Sequence, residues 1–278
     1  MTAVNEKAAR ELLAFYQEAG VDTAMAETPV DRLADQPITA AMPQPAAPAA
    51  PSARGPAPVV RTITSSDLAG GGRTPPPSPE AAVMAAREAA RTAANLDELR
   101  AILDRFEGCA LRATATQLVF ARGNPQARVM LIGEAPGYEE DKSGLPFVGR
   151  SGQLLDRMLA AIGLDERSVY IANIVPWRPP GNRTPTPQES AICLPFIMRQ
   201  IELADPDLLV CLGNPSTQTL LNTREGITRT RGRWFPFHTG TREIRAMPTY
   251  HPAFLLRGPL NKRLAWRDLM AIKRALQT

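Results

Sequence analysis

The stretch Arg128-Val-Met-Leu-Ile-Gly133-Glu-Ala-Pro-Gly137 is a short apolar run followed by a turn-forming polar cluster. A continuous apolar run of this length predicts a strand buried on both faces, as is typical of parallel sheets. Similar runs predict strands at 169–174, 208–213 and 246–250. Helical patterns at about 151–163, 187–204 and 214–221 lie between the first three strands. The sequence therefore predicts a three-layer α/β/α fold with a central, mainly parallel four-stranded sheet.

The segments around this pattern predict the domain organisation. Apolar positions at helical spacing predict a short amino-terminal helical segment within residues 1–35. Residues 36–80 contain eleven prolines among Ala, Ser and Gly, a composition that predicts a disordered linker because it cannot bury enough apolar surface. Residues 81–278 form the predicted domain, which begins with two helices and ends with a helix at 261–276.

Charge and cysteine content narrow the class of protein. Residues 1–95 carry 8 basic and 10 acidic side chains, whereas residues 96–278 carry 24 and 18. A basic domain suits a polyanionic partner such as nucleic acid. Three cysteines do not make a disulfide framework, and no apolar stretch is long enough to span a bilayer. We expect reduced thiols, a cytoplasmic location and no membrane association.

Polar residues follow three of the predicted strands. Glu134 follows the first, Asn173 ends the second and His251 follows the last. Ligands of open α/β sheets bind at the carboxyl ends of the strands, so these side chains are expected to converge on one crevice. Each also has a structural alternative, as a helix cap, a turn ligand or a hydrogen-bonded core histidine.

Two loops add candidate nucleic-acid contacts. Phe147 lies on a glycine-rich loop just before a helix, where an aromatic ring can stack on a base; the alternative is that it packs into the core beneath the loop. Arg178 and Arg183 lie in a Pro/Gly-rich loop and suit phosphate contacts, although such arginines are more often a solvated face.

Several ordered motifs resemble the family 4 uracil-DNA glycosylases over about residues 96–278. The motifs are Gly133-Glu-Ala-Pro-Gly137, Gly144-Leu-Pro-Phe-Val-Gly-Arg-Ser-Gly152, Asn173-Ile-Val175, Arg178-Pro-Pro-Gly-Asn-Arg-Thr-Pro-Thr-Pro187 and His251-Pro-Ala-Phe-Leu-Leu-Arg257. The resemblance implies an enzyme that flips uracil out of DNA and hydrolyses its N-glycosidic bond with water. The matched motifs contain no lysine nucleophile, so we expect no strand-cleaving activity.

The resemblance also implies roles for individual residues. Phe147 would stack on the flipped uracil, Asn173 would bind its pyrimidine edge, and His251 would stabilise negative charge on the base. Glu134 would lie near the sugar and the attacking water; its role as general base stays open because Ala135 replaces the aspartate of the best-known uracil glycosylases. The remaining expected contacts are Gly133, Ala135, Pro136 and Gly137 in the base pocket and Arg150, Arg178, Arg183, Leu255, Leu256 and Arg257 on DNA.

One departure from the family concerns its cofactor. Family 4 enzymes bind a four-iron cluster through four cysteines. Here Cys109 and Cys193 fall at the second and fourth of those positions, whereas Phe106 and Trp177 occupy the first and third. We expect an iron-free protein in which the two large apolar side chains fill the volume of the cluster.

Two other functions remain open on the sequence. One is a glycosylase with a broader range of deaminated bases, such as hypoxanthine, and the other is a non-catalytic module that binds damaged DNA. The helical segment at 1–35 could recruit a replication or repair protein. We expect a monomer.

Overall fold

The short apolar segments form the strands of one sheet in a computed structural model, which describes residues 78–277. The expectations for 1–35 and for most of the 36–80 linker lie outside the described residues. The strands are β1 (Arg122–Gly123), β2 (Val129–Gly133), β3 (Val169–Asn173), β4 (Leu208–Leu212), β5 (Phe235–His238) and β6 (Glu243–Thr249). Their order is β1-β3-β2-β4-β6-β5, with the four inner strands parallel and both edge strands antiparallel to their neighbours.

Helices connect the strands and cover both faces of the sheet. The α-helices are α1 (Pro79–Thr92), α2 (Leu96–Arg105), α3 (Tyr138–Ser143), α4 (Arg150–Ala160), α5 (Pro187–Ala204), α6 (Asn214–Leu221), α7 (Ile227–Thr230), α8 (Pro252–Arg257) and α9 (Lys262–Leu276). Single 3₁₀ turns occur at Ala110–Ala113, Pro180–Asn182 and Pro259–Asn261.

Alternating side chains of each strand divide the core in two. Met130 and Ile132 of β2 belong to the cluster that packs against α1, α2 and α5. Val129 and Leu131 point to the other face, where they join a cluster with α4 and α9. This alternation follows from the two-residue period of a strand. The predicted three-layer α/β/α fold is therefore confirmed.

The strand count differs from the expected four. The four predicted strands are the parallel centre, and β1 and β5 add the two edges. β1 has only two residues, and β5 contains Pro236 and is exposed at alternate positions, so neither shows a buried apolar run. Proline is tolerated in an edge strand because one side of such a strand needs no ladder hydrogen bond. Within residues 78–277, no helix is both long and apolar enough to cross a bilayer.

Candidate active site

The carboxyl ends of all four parallel strands open into one cavity of about 450 Å³. Glu134 follows β2, Asn173 ends β3, Gly213 follows β4 and His251 follows β6, and all four residues line this cavity. The chain passes from β2 to β3 on one side and then to β4 on the other side of β2. Such a reversal of strand order leaves a crevice at the carboxyl edge of a doubly wound sheet. The expected convergence of the three polar residues is confirmed.

Glu134 is half-buried at the wall of the cavity. Its Oε1 has no hydrogen-bond partner within residues 78–277. Burial raises the pKa of its carboxyl, and a hydrogen bond with the side chain of Thr184 offsets part of that rise. Glu134 therefore accepts a proton at higher pH than an exposed glutamate does.

Asn173 is buried and presents a second unpaired acceptor. Its Oδ1 likewise has no partner within the described chain. A Cβ added to Gly133 would overlap this oxygen and would lie 2.6 Å from Cζ of Phe147. Glycine at 133 thus allows the amide and the aromatic ring to approach the same stretch of backbone.

His251 is the amino-terminal cap of α8. Its Nδ1 accepts a hydrogen bond from the backbone N–H of Ala253 at 3.1 Å, so the proton of the neutral ring lies on Nε2. Burial lowers the pKa of His251 to about 4, with a further contribution from Arg257. At neutral pH the side chain is therefore an uncharged hydrogen-bond donor that lines the cavity.

Phe147 forms an aromatic wall of the cavity. Its ring centroid lies 5.5 Å from that of His251, and the side chain is buried. The residue has φ of 56°, a left-handed conformation that is rare for a bulky side chain. A Cβ at Gly152 of α4 would overlap the carbonyl of Phe147, so glycine is required there.

Glu140 fixes this aromatic wall, a role that none of the sequence motifs predicted. Its Oε1 accepts hydrogen bonds from the backbone N–H groups of Val148 (3.0 Å) and Gly149 (2.9 Å). Its Oε2 accepts from the N–H of Gly137 at 3.1 Å. One buried carboxylate therefore joins the loop after β2 to the loop that carries Phe147. The available signal was Gly137 followed three residues later by a glutamate, the spacing of a capping box.

The arginines expected on DNA occupy different surroundings. Arg150 and Arg257 are exposed, and Arg257 lines the cavity. Arg183 also lines it but donates two hydrogen bonds to Glu189, at 2.7 and 2.8 Å. Arg178 donates to Oδ1 of Asn182 at 2.6 Å.

The loop that begins at His251 requires one correction. Leu255 was expected to contact DNA, but it is fully buried beside Tyr250 and Ala265. The exposed apolar side chains of α8 are Phe254 (38% exposed) and Leu256 (41% exposed). The segment is a helix rather than a loop, so alternate residues along it cannot all face the same way.

The positions expected to bind a cluster do not fit four-iron ligation. Cys193 donates a hydrogen bond to Cys109, which lowers the pKa of Cys109; the same bond and burial raise that of Cys193. Trp177 is buried in the core cluster that contains both thiols, and Phe106 packs against it. Within residues 78–277 no three His, Cys, Asp or Glu side chains form a group that could bind a metal.

The fold and the cavity define a three-layer α/β protein whose pocket suits a flat polar ring. The profile of the uracil DNA glycosylase superfamily matches residues 120–270. The chain is 41% identical to the Type-4 uracil-DNA glycosylase of Thermotoga maritima over 59% of this chain and 86% of the relative. It is 38% identical to the Type-4 uracil-DNA glycosylase of Archaeoglobus fulgidus over 59% of this chain and 85% of the relative. The chain belongs to the uracil DNA glycosylase superfamily.

Proposed function

We propose that this protein removes uracil from DNA by hydrolysing its N-glycosidic bond, leaving an abasic site. The observation that carries the proposal is a single cavity with an aromatic wall, a neutral imidazole donor and two unpaired buried oxygens. A buried polar atom without a partner costs about 1–3 kcal/mol. Uracil in DNA offers a ring N–H to an unpaired acceptor of this cavity and carbonyl oxygens to its donors.

Recognition begins with extrusion of the base, since the glycosidic bond is not accessible inside the stack. Phe147 stacks on one face of the flipped ring. The side chain of Asn173 has both an acceptor and donors, so its Oδ1 accepts from the ring N–H and its amide donates to the adjacent carbonyl. This pairing favours uracil over a base with a different edge.

Cleavage transfers the electrons of the C1′–N1 bond to the uracil ring. The neutral His251 donates a hydrogen bond from Nε2 to the ring oxygen on which this charge accumulates. The carboxylate of Glu134 orients a water molecule, which attacks C1′ of the oxocarbenium-like sugar. A proton of that water passes to Glu134. The immediate products are the uracil anion, a 1′-hydroxyl sugar and protonated Glu134. The anion takes up a proton from water and Glu134 returns its proton to solvent, so that free uracil is released and Glu134 is again a carboxylate.

We also propose that the protein functions without an iron–sulfur cluster. Two adjacent thiols and two large apolar side chains at the four positions support this proposal, because a four-iron cluster requires four ligands. We test this proposal on protein purified without oxygen, by iron analysis and by a visible absorption spectrum. Stoichiometric iron with cluster absorption would contradict the proposal.

The glycosylase activity is tested with a labelled oligonucleotide that contains one uracil, followed by alkaline cleavage of abasic sites. Asn173→Ala and His251→Ala are expected to reduce excision, the latter by about 10²–10³-fold if His251 acts like an oxyanion-hole donor. His238→Ala is the matched control, because His238 is exposed on β5 and does not line the cavity. Full activity in His251→Ala would contradict the mechanism.

The same assay distinguishes the alternatives. Single-stranded and duplex substrates are compared, and hypoxanthine replaces uracil in a parallel series. Release of hypoxanthine at a similar rate would establish the broader glycosylase. Binding of uracil-containing DNA without release of any base would establish a non-catalytic module.

Other aspects of the protein stay predictions. We propose a DNA partner, a monomeric state and a cytoplasmic location. Recruitment of a replication or repair protein through residues 1–35 is testable by comparing the full chain with a variant that lacks them.

A further inference from the structure

Tyr138 is an exposed aromatic residue next to the cavity. Its side chain is 56% exposed at the start of α3. Gly137, the preceding residue, lines the cavity. The proposed excision of uracil requires no contribution from this tyrosine. Large exposed aromatic rings beside a binding site are candidates for contact with the ligand.

The guanidinium group of Arg178 lies over the ring of Tyr138, 5.1 Å from its centroid. Its Nε donates to Asn182, and Nη1 lies 3.9 Å from Oδ2 of the buried Asp141. Asp141 in turn accepts hydrogen bonds from Thr116. The cation is therefore fixed on the ring rather than mobile, and Tyr138 is supported on that face while much of its surface stays open to solvent.

The residues next to Tyr138 and Arg178 in the sequence show where this pair lies relative to the cavity. Pro179, which follows Arg178, and Asn182, its hydrogen-bond partner, both line the cavity. The pair thus joins the loop after β2 to the loop after β3 at the edge of the pocket. A nucleotide adjacent to one bound in the cavity would reach this edge, because consecutive nucleotides are covalently joined.

We infer that Tyr138, supported by Arg178, stacks on the nucleobase next to the flipped one when the strand is unpaired. This inference rests on the proposed function and adds a second base-binding position to it. An aromatic ring binds any base through its face, and a neighbouring arginine supplies positive charge for the adjoining phosphate. In a duplex the neighbouring base remains stacked in the helix, so the contact favours single-stranded substrate.

Binding is measured with a single-stranded oligonucleotide that contains 2′-fluoro-2′-deoxyuridine, which resists cleavage. Tyr138→Leu is expected to weaken binding about tenfold, as for loss of one base–aromatic stack. Tyr138→Phe retains the ring and is expected to bind like the wild type. Trp266→Leu is the control, since Trp266 is a comparably exposed aromatic side chain on α9 that does not line this cavity.

The decisive comparison uses DNA that lacks the base next to the flipped nucleotide, with the Tyr138 ring left in place. Oligonucleotides carry a tetrahydrofuran spacer on the 5′ or the 3′ side of the fluorinated nucleotide. On one of these two DNAs the wild type is expected to bind as weakly as Tyr138→Leu, because the stacking partner is missing from both complexes.

An equal loss in Tyr138→Leu on all three DNAs would overturn the inference, since the tyrosine would then only support Arg178. No loss on any DNA would overturn it as well. Failure of the proposed function is visible separately, because it would abolish excision of ordinary uracil by the wild type and by both tyrosine variants alike.

Discussion

Glu134 is half-buried at the end of β2, and burial raises the pKa of its carboxyl. A general base is active when deprotonated, so kcat/KM is expected to fall as the pH drops through this raised pKa, above the range of an exposed glutamate. Glu134→Gln is expected to lower kcat/KM at pH 7 by about 10²–10⁴-fold and to remove the acid limb. A pH–rate profile of both proteins measures this. An unchanged acid limb in the variant would assign it to another group.

His251 does not account for that limb. Because its pKa is lowered to about 4, the ring stays neutral down to pH values well below the ordinary range of histidine. Its Nε2–H is therefore available as a hydrogen-bond donor across the whole neutral range. In the proposed mechanism Glu134 gains and loses a proton during the reaction, whereas His251 keeps its own.

At the scale of elements, the loop between α3 and α4 is fixed by Glu140. Glu140→Gln replaces the acceptor for Gly137 by a donor, so we expect the unfolding free energy to fall by about 1–3 kcal/mol. We also expect kcat to fall by about tenfold, since a misplaced catalytic group costs rate. Glu139→Gln is the matched control, because Glu139 is adjacent in sequence but exposed. Loss of stability without loss of kcat would mean that Phe147 is positioned independently.

Helix α8 contains two adjacent leucines in different environments: Leu255 is buried and Leu256 is exposed. Leu255→Ala is expected to lower the unfolding free energy by about 2–5 kcal/mol, because it leaves a cavity in a packed cluster. Leu256→Ala is expected to leave stability nearly unchanged and to reduce excision from duplex DNA more than from single strands, because an apolar wedge replaces the flipped base only in a duplex.

Denaturant unfolding and excision assays on the leucine variants measure both effects. Leu260→Ala, an exposed leucine on the following turn, is the control. Equal losses of excision activity for Leu256→Ala on both DNA forms would argue against a wedge.

Part of this structure was predictable from element-scale patterns. Three of the four parallel strands are fully buried runs, whereas β6 is continuously buried only over 246–249. Glu134, Asn173 and His251 were expected to meet because strand ends meet in such a sheet. The edge strands β1 and β5 lack that signal, since one is too short and the other is half exposed. Glu140 and Tyr138 were missed for a different reason. The capping-box spacing is a local signal only for the bond from Gly137 to Glu140. The bonds of Glu140 with Val148 and Gly149, and the contact of Arg178 with Tyr138, join separate loops, which no local pattern encodes.

At the scale of the whole molecule, net charge bears on the proposed binding of DNA. The basic excess of residues 96–278 predicts that KM for uracil-containing DNA rises with salt concentration, because bound counterions are released on binding. Arg257→Ala is expected to reduce the slope of log KM against log salt by about one. Arg242→Ala is the control, since Arg242 pairs with Asp205 and Asp207 at the amino ends of the strands. Equal slopes for the wild type, Arg257→Ala and Arg242→Ala would contradict this role of Arg257.

The aromatic wall has a further consequence. Phe147 is fixed on one side by the carboxylate of Glu140 and on the other by close contact with Gly152. In the proposed mechanism, a wall that is complete before DNA binds makes the same contacts with the excised base as with the attached one. Free uracil should therefore act as a competitive product inhibitor, and Glu140→Gln should relieve that inhibition. A rigid Phe147 wall would then favour cleavage but slow turnover, because the pocket must release the uracil product that it binds well.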